Sequence, residues 1–427
     1  MAQFQHLEPA RRGTSFAVRT RMSNRLVPSL FALFASAALV SVSLGACSSS
    51  ETTPTPDAGP VPTSTGEPTE ASLPDASPDA PSDATTADGS SVPSPVETRN
   101  VEKLAMACVA QPSDYGAYGS VTRYDRYELP NPSWVGDSPL PVQVLVPVGG
   151  KTTHPVIFFS HPFGGSDWHR IQGFFELMVS HDYVVVFTPY ATKNVTVCNR
   201  YDTLWGGHRL AVDTLGTKVG MDTTRVGFVG HSFGAGATPW IAHEALKARG
   251  WGKTGSFMLT SAPWYGYRMT AAEWAEFPAT TRLATLVYQD DTTNDHRMAI
   301  DEVFGAFGGT KTYTKLVSAQ HATCNLVADH GVPTGSATVP EVDALDFWGF
   351  WRQSQMIAAC TLEANADACA LLEGTTGAST SMGTWKDDGS AVPPAERSSA
   401  PTPPRASNEY TFGSPKKALF PCDGQAP

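Results

Sequence analysis

From about residue 140 short hydrophobic stretches recur, and two of them, Pro155–Phe159 and Tyr183–Phe187, are broken by no charged or amide residue. Pro141-Val142-Gln143-Val144-Leu145-Val146, stopped by Gly149-Gly150, is the first, and Pro155-Val156-Ile157-Phe158-Phe159 the second. Tyr183-Val184-Val185-Val186-Phe187, Val226-Gly227-Phe228-Val229, Phe257-Met258-Leu259, Leu283–Tyr288 and Thr312–Val317 follow. A run that is apolar at every position is the pattern of a strand buried on both faces. Between the runs, helical spacing predicts helices over Trp168–Ser180, about Thr203–Val219, Ala235 to about Arg249, and Arg297–Phe307. Strands that alternate with helices predict an α/β fold, with a mostly parallel central sheet and helices on both faces. Active sites of such sheets lie at the carboxyl ends of the strands.

The two ends read differently. Arg11, Arg12, Arg19, Arg21 and Arg25 precede an apolar stretch, Leu26–Leu44, as in an export signal. That stretch closes on Leu44-Gly45-Ala46-Cys47, which resembles the lipobox of bacterial lipoproteins. The resemblance implies that residues 1–46 are a signal peptide, and that Cys47 is acylated and anchors the protein to a membrane. The chain would then face the periplasm or the cell surface. Residues 51–100 hold nine acids, ten prolines and a single base, Arg99. So little apolar surface cannot offset chain entropy, and residues 47–105 read as an acidic tether. The folded α/β domain is expected over 106–372. Residues 373–427 read as a Pro-rich, mostly irregular extension, with Trp385, Tyr410, Phe412 and Cys422 available to dock it onto the body.

Composition narrows the choice of partner. The 427 residues carry 41 acids against 30 bases, a net charge of −11, which excludes a nucleic-acid partner that relies on a basic face. A monomer is expected. Six cysteines remain besides Cys47, enough for three disulfides in an exported chain; Cys360 and Cys369 are close enough in sequence to close a small loop, and the other pairings stay open. There is no CxxC, HExxH or GxGxxG, and no metal or organic cofactor is expected.

The chemistry concentrates in Gly230-His231-Ser232-Phe233-Gly234, a GxSxG between a buried strand and a helix. That context predicts a nucleophile elbow with Ser232 at its tip. A serine hydroxyl needs a base, and the base an orienting carboxylate; in such sheets both follow the serine, acid first. After the strand Leu283–Tyr288 the chain reads Gln289-Asp290-Asp291-Thr292-Thr293-Asn294-Asp295. Asp291 is the expected acid, with Asp290 the alternative and Asp295 a helix cap. After Thr312–Val317 comes His321, the expected base; His330, nine residues further on, competes for the role. His231 is expected to support the elbow. Two backbone N–H groups should hold an oxyanion, those of Phe233 and Phe163. The second stands in Ser160-His161-Pro162-Phe163-Gly164-Gly165, where Pro162 has no N–H to offer.

Together these segments resemble the bacterial cutinases and poly(ethylene terephthalate) hydrolases of the α/β-hydrolase superfamily, relatives of the dienelactone hydrolases. Asp222–Gly236 looks like their strand, elbow and helix, and Asp291-Thr292 and His321 with Asn325 look like their acid and histidine segments. The resemblance implies a serine ester hydrolase of the α/β-hydrolase fold, acting on esters or polyesters, with Phe163 and Trp264 as substrate-binding aromatics. Trp264 reads equally well as a core aromatic. Three features depart from the family: His-Pro-Phe-Gly-Gly in the oxyanion loop, Phe233 after the serine, and a short insertion that includes Thr270–Phe277. The separation of 59 positions from Ser232 to Asp291 leaves no room for a large cap domain. Small esters, acetylated sugars, lipids or lactones are alternative substrates, and a catalytically silent surface-binding lipoprotein is the alternative of another class.

Overall fold

The computed structural model describes residues 93–334 and 342–424. The expected lipobox and most of the expected tether lie outside the described residues. Ten strands form one mixed sheet: β1 (Glu97–Asn100), β2 (Arg123–Leu129), β3 (Val142–Pro147), β4 (His154–Ser160), β5 (Val184–Thr188), β6 (Met221–His231), β7 (Gly255–Ser261), β8 (Thr281–Tyr288), β9 (Thr310–Leu316) and β12 (Glu396–Arg397). Their spatial order is β1-β2-β3-β5-β4-β6-β7-β8-β9-β12. The six strands from β5 to β9 run parallel, while β1, β2 and β3 on one side and β12 on the other are antiparallel. β10 (Ala319–His321) and β11 (Cys324–Leu326) form a separate antiparallel hairpin.

The unbroken apolar runs become the central strands. Every residue of β3, β4, β5 and β7 is buried, because helices cover both faces. On one face lie α1 (Gln172–Ser180), α5 (Arg352–Leu362) and α6 (Ala366–Glu373), with Phe174, Phe175 and Ile357 in the core. On the other lie α2 (Val197–Leu215) and α3 (Phe233–Ala248), with Tyr201, Leu204 and Ile241. After β4 the chain turns to one neighbour, β5, and from there crosses to the other, β6. A crevice opens where the order reverses, at the carboxyl ends of β4 and β6. Both the loop after β4, with Phe163, and Ser232 stand at that crevice.

The flanks extend the expected boundaries. β1 lies within the segment read as tether and pairs with β2. The C-terminal segment returns to the body: β12 pairs with β9, and the Arg397 guanidinium donates to the carbonyls of Leu371, Leu372 and Gly374 at the end of α6. Burial, and then the nearby Arg352, pull Arg397 down to about 10, so it remains charged at neutral pH. Cys360–Cys369 is bridged, and Cys108–Cys324 and Cys198–Cys422 complete three disulfides. The last joins α2 to the tail across 224 residues. Between β7 and β8 the added structure is one short helix, α4 (Ala271–Ala275), started by a Thr270–Glu273 capping box. Among the described residues no helix is long and apolar enough to cross a membrane.

Candidate active site

Ser232 stands between the last residue of β6 and the first of α3, at φ +55 and ψ −118. A non-glycine residue rarely takes a positive φ, and here the surroundings hold it. The Ser232 N–H donates to Ser261 O at 2.9 Å, and its carbonyl accepts from Trp264 N at 2.9 Å and Gly236 N at 3.0 Å. The flanking glycines follow from the same tight turn. A Cβ on Gly234 would lie 2.0 Å from Ser160 O, and one on Gly230 2.3 Å from Thr238 Oγ1. Phe233 is the first residue of α3, so its N–H belongs to the first turn, which has no acceptor within the helix.

The hydroxyl meets His330, not His321. His330 Nε2 is 2.9 Å from Ser232 Oγ, and His330 Nδ1 is 2.8 Å from Asp291 Oδ2. Asp291 is buried, and its other oxygen accepts from the N–H groups of Thr293 at 2.7 Å and Asn294 at 3.1 Å. The expectation for His321 is corrected. Its ring stacks on Trp385 with centroids 4.9 Å apart, and its Nε2 faces Asp387 Oδ1 at 3.1 Å. The reason is the hairpin β10–β11, which takes up the ten residues after β9 as far as Leu326 and is bridged to Cys108 through Cys324. The chain then returns along the sheet end, where Asp290 N donates to Ala328 O at 2.8 Å, and the following turn carries His330. That hairpin turns at Ala322 with φ +50 and has no glycine or asparagine at its tip, so no turn signal marks it in the sequence.

The other two acids stand elsewhere. Asp290 accepts from Ser318 Oγ at 2.5 Å. Asp295 holds the C-terminal segment: it accepts from Ser407 Oγ at 2.5 Å and Ser414 N at 3.1 Å, besides Arg297. Burial pushes its carboxyl up, but the bonds from Ser407, Arg297 and Ser414 outweigh burial and hold it below the usual carboxylate range.

His231 does support the elbow, by a contact the sequence does not reveal. Its Nε2 donates to the main-chain carbonyl of His330 at 2.8 Å. Burial, and then the neighbouring His330, depress its pKa well below that of free histidine, so the ring is neutral. The loop after β4, expected to carry the oxyanion donor Phe163, is pinned by a second buried imidazole. His161 Nδ1 donates to Pro162 O at 2.7 Å, and its Nε2 accepts from Tyr190 N at 3.0 Å. Burial pushes this histidine down to about 3. Gly165 N closes a turn on Pro162 O at 2.9 Å with Gly164 at φ +78, the geometry of a type II turn with Phe163 at its corner.

A cavity of about 680 Å³ opens on Ser232 and His330. Phe163, 47% exposed, stands on its wall. Trp264 also lines it but is only 4% exposed, packed against Phe233, Phe412 and Phe420. It is first a core aromatic that shows an edge to the cavity. Sequence reasoning missed three contributors: Asn294, whose Nδ2 donates to Ala262 O at 2.8 Å and lies 3.4 Å from Ser232 Oγ; Phe412, brought in by the tail; and Arg200 of α2. A hydroxyl in line with an imidazole and a buried carboxylate can deliver a nucleophilic oxygen and receive its proton. In comparisons with known proteins, no family model matches the chain and no curated protein matches it.

Proposed function

We propose that the chain is a serine carboxylic ester hydrolase of the α/β-hydrolase fold. The observation that carries this reading is the continuous line from Ser232 Oγ through the His330 ring to Asp291, at 2.9 and 2.8 Å, on a serine held at positive φ. Ser232 attacks the ester carbonyl as His330 Nε2 takes its proton, and Asp291 keeps the other proton on Nδ1 and stabilises the imidazolium. The N–H groups of Phe163 and Phe233 hold the oxyanion. The tetrahedral adduct collapses to an acyl-serine as His330 protonates the leaving alcohol. Water then repeats the sequence and releases the acid. No step requires a metal or organic cofactor.

The short α4 insertion supports bulky or polymeric esters, as the resemblance to cutinases and poly(ethylene terephthalate) hydrolases implies. Export and acylation at Cys47 rest on Leu44-Gly45-Ala46-Cys47, and the three disulfides support an oxidising compartment. The test is turnover of p-nitrophenyl butyrate, p-nitrophenyl octanoate and a polyester film, alongside fluorophosphonate labelling. Wild type should hydrolyse esters and take the label at Ser232, and Ser232→Ala should lose turnover on the order of 10⁶-fold. Equal rates in the two proteins, or a folded wild type inert to every ester and to the label, would overturn the reading.

A further inference from the structure

Arg200 is a buried guanidinium without a counter-ion. Its side chain lines the cavity that holds Ser232, yet the residue is 1% exposed. Nε donates to Ala191 O at 3.1 Å and Nη2 to Thr192 O at 2.8 Å, while Nη1 is buried without a partner. No carboxylate of the described residues pairs with it; the ionisable neighbour is Tyr190, a buried phenol that stays neutral. Arg397 shows what a satisfied buried arginine looks like in this fold: its guanidinium meets three carbonyls, Thr314 and Gln353. Arg200 has one arm idle.

Its position is specific. The guanidinium carbon lies 5.0 Å from the ring centroid of Phe163 and 5.5 Å from that of Phe233. These are the two residues whose N–H groups would hold the oxyanion, one from the loop after β4 and one from the start of α3. One cation therefore packs against both halves of the oxyanion site through their aromatic faces, an attractive contact for each. Burying an unpaired charge is costly unless something opposes it. Here the opposing charge arises during the reaction, when the ester carbonyl oxygen becomes an anion beside the two rings. A buried, fixed positive charge stabilises that anion with no reorganisation at the moment of reaction.

We propose that Arg200 is a positioning residue for this reaction: it aligns Phe163 and Phe233 and supplies an uncompensated positive charge beneath the oxyanion they hold. This rests on the esterase reading above. The effect belongs to the transition state and to its tetrahedral mimics, not to the neutral ester.

The test compares Arg200→Gln, which keeps donors for the two carbonyls but lacks the charge, with Arg200→Lys, which keeps the charge. Each is assayed on p-nitrophenyl butyrate and with phenylboronic acid, whose adduct with Ser232 is a tetrahedral anion. For Arg200→Gln, kcat should fall about thirtyfold with KM within about threefold of wild type, and boronate affinity should fall in parallel. Arg200→Lys should stay within about fivefold of wild type in both. A folded Arg200→Gln with wild-type kcat and boronate affinity overturns the inference alone, and so does Arg200→Lys falling as far as Arg200→Gln. Arg200→Met replaces Arg200→Gln should the latter not fold. If neither neutral variant folds, while Arg200→Lys has wild-type kinetics, the charge is structural and the inference fails. A wild type inert to ester and fluorophosphonate overturns the esterase reading itself, and the inference with it.

Discussion

The side chain of His231 donates to the main-chain carbonyl of His330 at 2.8 Å, so the residue before the nucleophile holds the loop that brings the imidazole. Together with the bond between His330 and Ser232, this one fixes the end of β6 against the turn after β11. A single buried hydrogen bond is worth about 1–1.5 kcal/mol, which corresponds to roughly tenfold in rate if it is lost from a geometry the reaction needs. His231→Ala should lower kcat on p-nitrophenyl butyrate by about that factor, with KM nearly unchanged. Steady-state kinetics on the two proteins, with a thermal melt to confirm folding, check it.

The two histidines that follow β9 should behave oppositely. His330→Ala removes the ring between Ser232 and Asp291 and should abolish turnover to the same extent as Ser232→Ala. His321→Ala removes a ring stacked on Trp385 beside Asp387, at the edge of the C-terminal segment, and should leave kcat within about twofold. The reverse result, an inert His321→Ala and an active His330→Ala, would show that the hydroxyl is served by another base.

What could be read from the chain divides along burial. β3, β4 and β5 are apolar at nearly every position because both faces are covered, β7 is so only at Phe257-Met258-Leu259, and β6 and β8 are so in the part that reaches the site. GxSxG is a local consequence of one tight turn, so Ser232 and Phe233 are legible without any tertiary knowledge. Asp291 follows its strand directly and is legible for the same reason. β2 (Arg-Tyr-Asp-Arg-Tyr-Glu-Leu) is a half-buried strand near the sheet edge whose charges hide it. α5 is buried on nearly all sides although it begins Arg-Gln-Ser-Gln; Gln355 meets the His181 ring and Gln353 meets Arg397, so polar residues fill a core position by pairing at long range. His330 was obscured because a hairpin of ordinary residues, made stable by a bridge to Cys108, displaces the first histidine from the site. Long-range pairings of this kind leave no local signature.

The C-terminal segment supplies part of the cavity wall. Phe412 lines the cavity and packs edge-on against Trp264, with centroids 5.8 Å apart. Its backbone is tied to the acid loop, Phe412 N donating to Thr293 O at 2.8 Å and Asp295 N to Phe412 O at 3.0 Å. Phe412→Ala keeps those backbone bonds and removes the wall. The ratio of octanoate to butyrate turnover should rise several-fold, with a loss of stability of about 1–3 kcal/mol for a partly buried ring. Parallel changes in both rates would show that the ring does not face the acyl chain.

Acid should destabilise the protein well above the pH at which carboxylates titrate. His161 and His208 are fully buried, and burial depresses both to about 3 from the ordinary 6.5. Neither faces a carboxylate: His161 is bonded to Pro162 O and Tyr190 N, and His208 Nδ1 to Thr188 Oγ1 at 3.0 Å. The folded state keeps both neutral, while the unfolded chain protonates them below pH 6.5, so the unfolded state binds more protons. Stability is therefore full above about pH 6.5 and falls as the pH drops toward 3, at about 1.4 kcal/mol per pH unit for each histidine. His208→Gln retains a hydrogen-bonding side chain but does not titrate. Its urea-unfolding free energy, measured from pH 8 to pH 4.5, should decline less steeply than that of wild type by about 1.4 kcal/mol per pH unit below pH 6. Parallel slopes for the two proteins would mean that His208 takes up a proton while the chain is still folded.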